Sequence, residues 1–179
     1  MTRDSVHQLI RQFHSGLDGI ARKSKQLSLD LLENTPAPFA RDQFTPGHIT
    51  CTALVLHPDG ERVLMMYHHR LQRWLLPGGH VEESDESPAD AAAREAFEET
   101  NVMIDARFVP LLVGVDVHGI PPKRDEPFHL HHDLIWCFRA VTDRIEKSDE
   151  APQVMWAAER DWDSLGIAES IRNSIRRAV

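Results

Sequence analysis

From Arg94 to Glu99 the sequence reads REAFEE, and its carboxylates Glu95, Glu98 and Glu99 stand at i, i+3 and i+4. On an α-helix that spacing puts all three on one face. At about 5 Å and an effective dielectric near 20, each ionised pair repels by roughly 3 kcal/mol. Arg94 is the only base in the segment from Pro88 to Thr100, and one arginine does not neutralise the group. A solvated face is the plainer fate of an acidic helix. Here, however, the segment follows PGGH, Pro77 to His80, a glycine turn whose backbone can approach a cation or a phosphate. Hard divalent cations take oxygen ligands, and magnesium in particular uses a few carboxylates together with substrate phosphates. A metal cage on the helix face is the sharper expectation.

The helix that would carry the cage is marked at both ends. Ser87 is a strong N-cap residue and Pro88 suits the first helical position. Asp90 stands three residues after Ser87, where its charge favours the positive end of the helix dipole. The run ADAAAREAFEET has high helix propensity, and Asn101 tolerates the left-handed conformation that ends a helix. The expected helix spans 88 to 100.

These residues resemble the Nudix box, in which a glycine, an acidic residue, an Arg-Glu pair, a Glu-Glu pair and a bulky aliphatic residue recur at fixed spacing. Gly79 matches the opening glycine, Glu86 the first acidic residue, Arg94 and Glu95 the middle, and Glu98, Glu99 and Val102 the end. Six residues separate Gly79 from Glu86, one more than the family spacing. Aligning on the glycine would put Asp85 at the acidic position. Glu86 is preferred, because an extra residue fits the loop more easily than the helix after Ser87-Pro88. Asn101 replaces the last glycine, and Ala96 a larger aliphatic.

The resemblance implies a hydrolase of a nucleoside diphosphate linked to another group. It implies magnesium or manganese held by Glu98, Glu99 and the Gly79 carbonyl. Glu95 would be a further ligand or the base that activates water, and Arg94 would orient the carboxylates by pairing with Glu86. It also implies an α/β/α sandwich with a mixed sheet.

Other side chains have weaker claims. FHLHHD puts His129, His131 and Asp133 on one face of a strand and His132 on the other. Such a set can bind zinc or a transition metal, contact a substrate, or simply line an open cleft. His80, beside Gly79, has the best claim to substrate, with His131 and Asp133 behind it. Trp74 could stack on a base, though core packing is its plainer role.

The elements that must position these residues follow from pattern. Residues 4 to 33 have helical apolar spacing broken near Gly16 and Gly19, and 34 to 48 read as an extended linker rich in proline. ITCTALVLH and RVLMMYHH make a hairpin around PDGE. WLLPGGH is a short strand, ARFVPLLVGVDVHG and FHLHHDLIWCFRAV are two long strands around IPPKRDEP, and QVMWAA is the last strand. A polar helix is expected over 159 to 178. The expected fold class is mixed α/β, with a helical extension and linker over 1–45 and, as the resemblance implies, a Nudix hydrolase domain over 46–179. The N-terminal helices are expected to cover an apolar face or, in a homodimer, a partner.

The chain has 179 residues, 41% hydrophobic and 27% charged, with a formal net charge of -8. That balance argues against a nonspecific nucleic-acid or membrane-surface binder, which needs a basic face. No apolar run reaches membrane-spanning or signal-peptide length, so a cytoplasmic enzyme is expected. Cys51 and Cys137 lie outside any metal-binding pattern and read as buried thiols. The principal alternative is a Nudix-fold sensor that binds a nucleotide without turnover. The full Arg-Glu and Glu-Glu set favours the enzyme. Prenyl-diphosphate isomerisation would need a cysteine in a matching context, which neither cysteine has.

Overall fold

The computed structural model describes every residue except Glu150. Seven strands form one mixed sheet: β1 (Gly47–Leu56), β2 (Arg62–His68), β3 (Arg73–Leu75), β4 (Gly78–His80), β5 (Leu111–Ile120), β6 (His129–Arg139) and β7 (Val154–Ala158). The main path runs β3-β2-β1-β6-β5, with β4 pairing β1 and β7 pairing β2. β1 and β6 are parallel, in a register that sets His48 beside His131 and Thr50 beside Asp133. The other pairings are antiparallel.

Strand alternation divides the core in two. Ile49, Cys51, Ala53, Leu134, Trp136 and Phe138 face one cluster, together with residues of the first three helices. Leu54, Leu56, Ile135 and Cys137 face the other, which Trp162, Ile167 and Ile175 complete. Helices thus cover both faces of the mixed sheet, as the α/β/α expectation requires.

The N-terminal helices are α1 (Arg3–Gln12) and α2 (Gly19–Asn34), and Gly16 between them has a left-handed φ of 56°. Thr2 and Ser5 cap α1 reciprocally, and the Asp18 carboxylate accepts from Ile20 and Ala21 at the start of α2. α2 turns Ala21, Ser24 and Ser28 inward, and such small side chains let a helix lie close on a sheet. Ser24 accepts from the Val117 N–H at 3.1 Å, and the Ser28 hydroxyl lies 3.1 Å from His132 Nδ1. The helices therefore share the core of the sheet.

Beyond β7 the continuous helix expected over 159 to 178 does not form. A 3-10 turn, Glu159–Asp161, is followed by α4 (Glu169–Ala178). Asp161 accepts from the Ala158 N–H at 2.9 Å, and Gly166 adopts a φ of 64°, which a helix cannot continue through. The break lets Trp162 and Ile167 enter the second core cluster. No helix among the described residues is long and apolar enough to cross a membrane.

Candidate active site

Helix α3 (Pro88–Thr100) carries the carboxylates and forms as its caps predict. Ser87 accepts from the Asp90 N–H, Pro88 opens the first turn, and Asn101 closes the last with φ 51° and ψ 23°. The Asn101 N–H donates to the Phe97 carbonyl at 2.8 Å. Ala91, Ala92 and Ala96 are fully buried against the sheet, so the helix sits close to β1 and β4. A larger residue at 96 would hold it further away.

This close approach brings the acids to Gly78 and Gly79, which form strand β4 along β1 and not the turn expected from PGGH. Glu99 is 7% exposed and accepts from the Gly78 N–H at 2.9 Å. Glu95 stands so near Gly79 that a Cβ there would lie 2.6 Å from its Oε1. Only glycine admits the carboxylate at that distance. Glu98 is the most open of the three, with its side chain 54% exposed.

Arg94 organises the group. Its guanidinium donates to Glu95 at 3.0 Å, to Glu98 at 3.2 Å and to the His80 carbonyl at 2.9 Å. Its remaining edge makes a two-bond fork onto Asp85, at 3.1 and 3.0 Å. The expected partner, Glu86, is exposed, whereas Asp85 is buried. The pairing of Arg94 with Glu86 is thus corrected to Asp85. The physical reason is the loop: Asp85 closes a turn by accepting the Glu82 N–H at 2.8 Å, which points its carboxylate inward. The extra residue, Glu86, is passed to solvent before the Ser87 cap, so the loop absorbs it without disturbing the helix. Burial alone would raise the Asp85 pKa, but the Arg94 hydrogen bonds outweigh it and hold the carboxyl below its ordinary range. The Asp85 hydrogen bonds in turn raise the Arg94 pKa further.

The opposite face of the sheet, at the same end, carries the histidines. His80 follows Gly79 on β4 and so points away from Glu95, toward His48 and His131 at ring separations of 5.0 and 5.3 Å. His129, His131 and Asp133 share this face as expected, and His132 turns to α2. His129 Nε2 lies 3.3 Å from His131 Nε2. Thr50 donates to Asp133, and His118 of β5 reaches Asp116 at 3.3 Å. Burial and the neighbouring imidazoles depress His80 to about 4 and His131 to about 2, so both rings are neutral at pH 7. Arg70, after β2, donates to the Pro121 carbonyl at 3.1 Å and brings two loops together.

Trp74 sits on edge strand β3, its ring 5.6 Å from Tyr67, and packs on the second core cluster.

Sequence reasoning set aside Asp85 and missed His48, and it read Cys51 as the buried thiol that it is. Asp85 was visible as the alternative on glycine spacing. His48 carries no local signal, because the parallel pairing of β1 with β6 creates its setting. Cys51 stands opposite Gly79 in the β1–β4 register, but it is fully buried and its thiol pKa is pushed well up, by burial first. It is an inert thiol.

A family model of the NUDIX domain matches residues 47–177. The fold is similar to that of the NUDIX domain of Shewanella oneidensis NrtR complexed with ADP ribose. There the TM-score is 0.55 at 18% identity, over 83% of this chain and 94% of that one. It is similar as well to the E. coli dihydroneopterin triphosphate pyrophosphohydrolase, with TM-score 0.55, 21% identity and coverage of 72% and 92%. A MutT protein from Methanosarcina mazei Go1 superposes with TM-score 0.50 at 24% identity, covering 72% of this chain and 90% of that one. A comparison with curated protein sequences finds no match. The matched model spans well over half of the chain and includes strand β4 and the acidic helix, so this protein belongs to the NUDIX family.

Proposed function

We propose that the protein is a divalent-metal-dependent hydrolase that cleaves the pyrophosphate bond of a nucleoside diphosphate linked to another group. The observation that carries this is that Glu95 lies against Gly79 and Glu99 accepts from the Gly78 N–H, while Arg94 holds Glu95 and Glu98. The donor set suits magnesium or manganese, since it is made of carboxylate oxygens with a backbone carbonyl to hand. Glu98, Glu99 and the Gly79 carbonyl would hold the ion, and Glu95 is either a further ligand or the general base. A bound divalent ion neutralises phosphate charge and lowers the pKa of coordinated water.

The chain's own residues do the rest. Arg94 fixes Glu95 and Glu98 through one nitrogen and is itself braced by Asp85 and the His80 carbonyl. The acids are thus held in place before substrate arrives, which lowers the reorganisation needed at the reaction. His80, His131 and Asp133 line the opposite face of the sheet at the same end and are proposed to contact substrate, in a reducing cytoplasm where Cys51 and Cys137 stay as free thiols.

The test is a phosphate-release screen with magnesium or manganese over nucleotide sugars, dinucleoside polyphosphates, ADP-ribose and modified nucleoside triphosphates. Turnover that Glu98→Gln abolishes is expected. Tight nucleotide binding with no turnover in any class would favour a sensor instead.

A further inference from the structure

We propose that His48, His80 and His131 form a second cation site, separate from the carboxylates, that takes a transition-metal ion of the zinc class. Three strands supply one imidazole each: His48 from β1, His80 from β4 and His131 from β6. A ligand nitrogen from each lies within 4.8 Å of the other two. Zinc–nitrogen bonds of about 2.0–2.1 Å in tetrahedral array set ligand nitrogens roughly 3.3 Å apart. The ligand nitrogens need draw together by at most about 1.5 Å to reach that geometry.

A second, independent observation points to a ligand. His48 is fully buried, and its Nε2 has no hydrogen-bond partner among the described residues. Its other nitrogen, Nδ1, lies 3.1 Å from the Gln43 carbonyl. An Nδ1–H donated to a backbone carbonyl leaves Nε2 with a bare lone pair, and this is how metal-binding histidines are commonly oriented. A buried lone pair left without a donor is costly unless something electropositive meets it. The ring of His48 is 5.0 Å from that of His80 and 4.9 Å from that of His131, so those rings are its nearest partners in chemistry. His129 stands behind the cluster with the same orientation, its Nδ1 2.8 Å from the Pro127 carbonyl.

The softness of the donors decides the metal. Three neutral nitrogens suit zinc, nickel or cobalt and hold magnesium poorly. The carboxylate group on the other face has the reverse preference. His80 and His131 are only half-buried, so a bound ion keeps an open position for water or an anionic oxygen.

Zinc titration of the full chain, stripped with chelator and held in excess magnesium to fill the carboxylate group, tests the assignment. The expected result is one zinc per chain by calorimetry, with affinity at least about tenfold weaker in His131→Gln and unchanged in Glu98→Gln. Loss in Glu98→Gln with none in His131→Gln would assign the ion to the carboxylates and overturn the proposal, as would no binding at all. Because His131→Gln can perturb folding, a second measurement uses the parent protein. Long-range nitrogen–proton spectra should show the ring nitrogens of His48, His80 and His131 shifting together on zinc addition while surface His14 stays fixed. Shifts spread over unrelated histidines, or absent from these three, would equally refute the site.

Discussion

Replacing Asp85 with Asn tests the correction that most changes the picture of the site. The substitution keeps shape but removes the charge and turns one acceptor into a donor facing Arg94. Two hydrogen bonds of 3.1 and 3.0 Å are at stake, and the Asp85 side chain is only 4% exposed. Breaking a buried ion pair costs about 3–5 kcal/mol because the remaining charge is stranded. Arg94 is not wholly stranded: it is 19% exposed and keeps Glu95 and Glu98. The expected loss is therefore somewhat below that range, about 2–3 kcal/mol. With a urea m-value of about 2 kcal/mol/M, the unfolding midpoint should fall by about 1 M. Glu86→Gln, at an exposed position, should stay within about 0.5 kcal/mol of the parent. The pH dependence supplies a check of sign. Asp85 has a lowered pKa in the fold, so its contribution is complete above the unfolded carboxylate pKa and is lost as pH falls through the folded value. The gap between parent and Asp85→Asn should accordingly close in acid. Equal midpoints for the two variants at neutral pH, or a gap that persists below the folded pKa, would refute the assignment of Asp85 as the brace of Arg94.

Three further outcomes follow from the geometry. Asn101→Gly should be close to neutral in denaturant melts and Asn101→Val should lose about 1–2 kcal/mol, since only valine opposes the left-handed cap at φ 51°; equal stability would show that the cap does not matter. Gly79→Ala should cut hydrolysis sharply while the protein stays folded, because the added Cβ would lie 2.6 Å from Glu95 Oε1; full activity by the phosphate-release assay would show that Glu95 can move without consequence. Glu98→Gln should leave metal-free stability within about 0.5 kcal/mol, as its side chain is 54% exposed. It should also lose most of the stabilisation, about 2.7 kcal/mol at 100 times the dissociation constant, that magnesium gives the parent; thermal melts at fixed ionic strength that show the same metal response in both proteins would remove Glu98 from the ligand set.

What was legible in the sequence was local. Helix α3 could be bounded to the residue because Ser87, Pro88 and Asn101 act on backbone groups a few positions away. The break between α1 and α2, the β1–β2 hairpin and the long strands β5 and β6 were likewise written in contiguous pattern. The misreadings arose where distant contacts decide. Whether Asp85 or Glu86 meets Arg94 depends on which one the loop turns inward, and both carry the carboxylate that Arg94 needs. The closing helix failed because Trp162 and Ile167 gain more from the second core cluster than the chain gains from unbroken helical hydrogen bonds through Gly166. His48 owes its partners to a parallel pairing with β6, far away in sequence, and no local spacing could reveal it.

Strand β4 joins the two chemistries. Alternation along Gly78, Gly79 and His80 sends successive positions to opposite faces of the sheet. On one side, the missing side chain of Gly79 makes room for Glu95, and the Gly78 N–H holds Glu99. On the other, His80 joins His48 and His131. Arg94 spans the strand by donating to the His80 carbonyl while it holds Glu95 and Glu98. A shift of β4 that repositioned the imidazoles would therefore be felt by the carboxylates through that single guanidinium. Arg94 pairs with Asp85, Glu95 and Glu98 at once. The divalent cation proposed for this group would add positive charge beside the same carboxylates and, by binding the folded chain alone, would stabilise it.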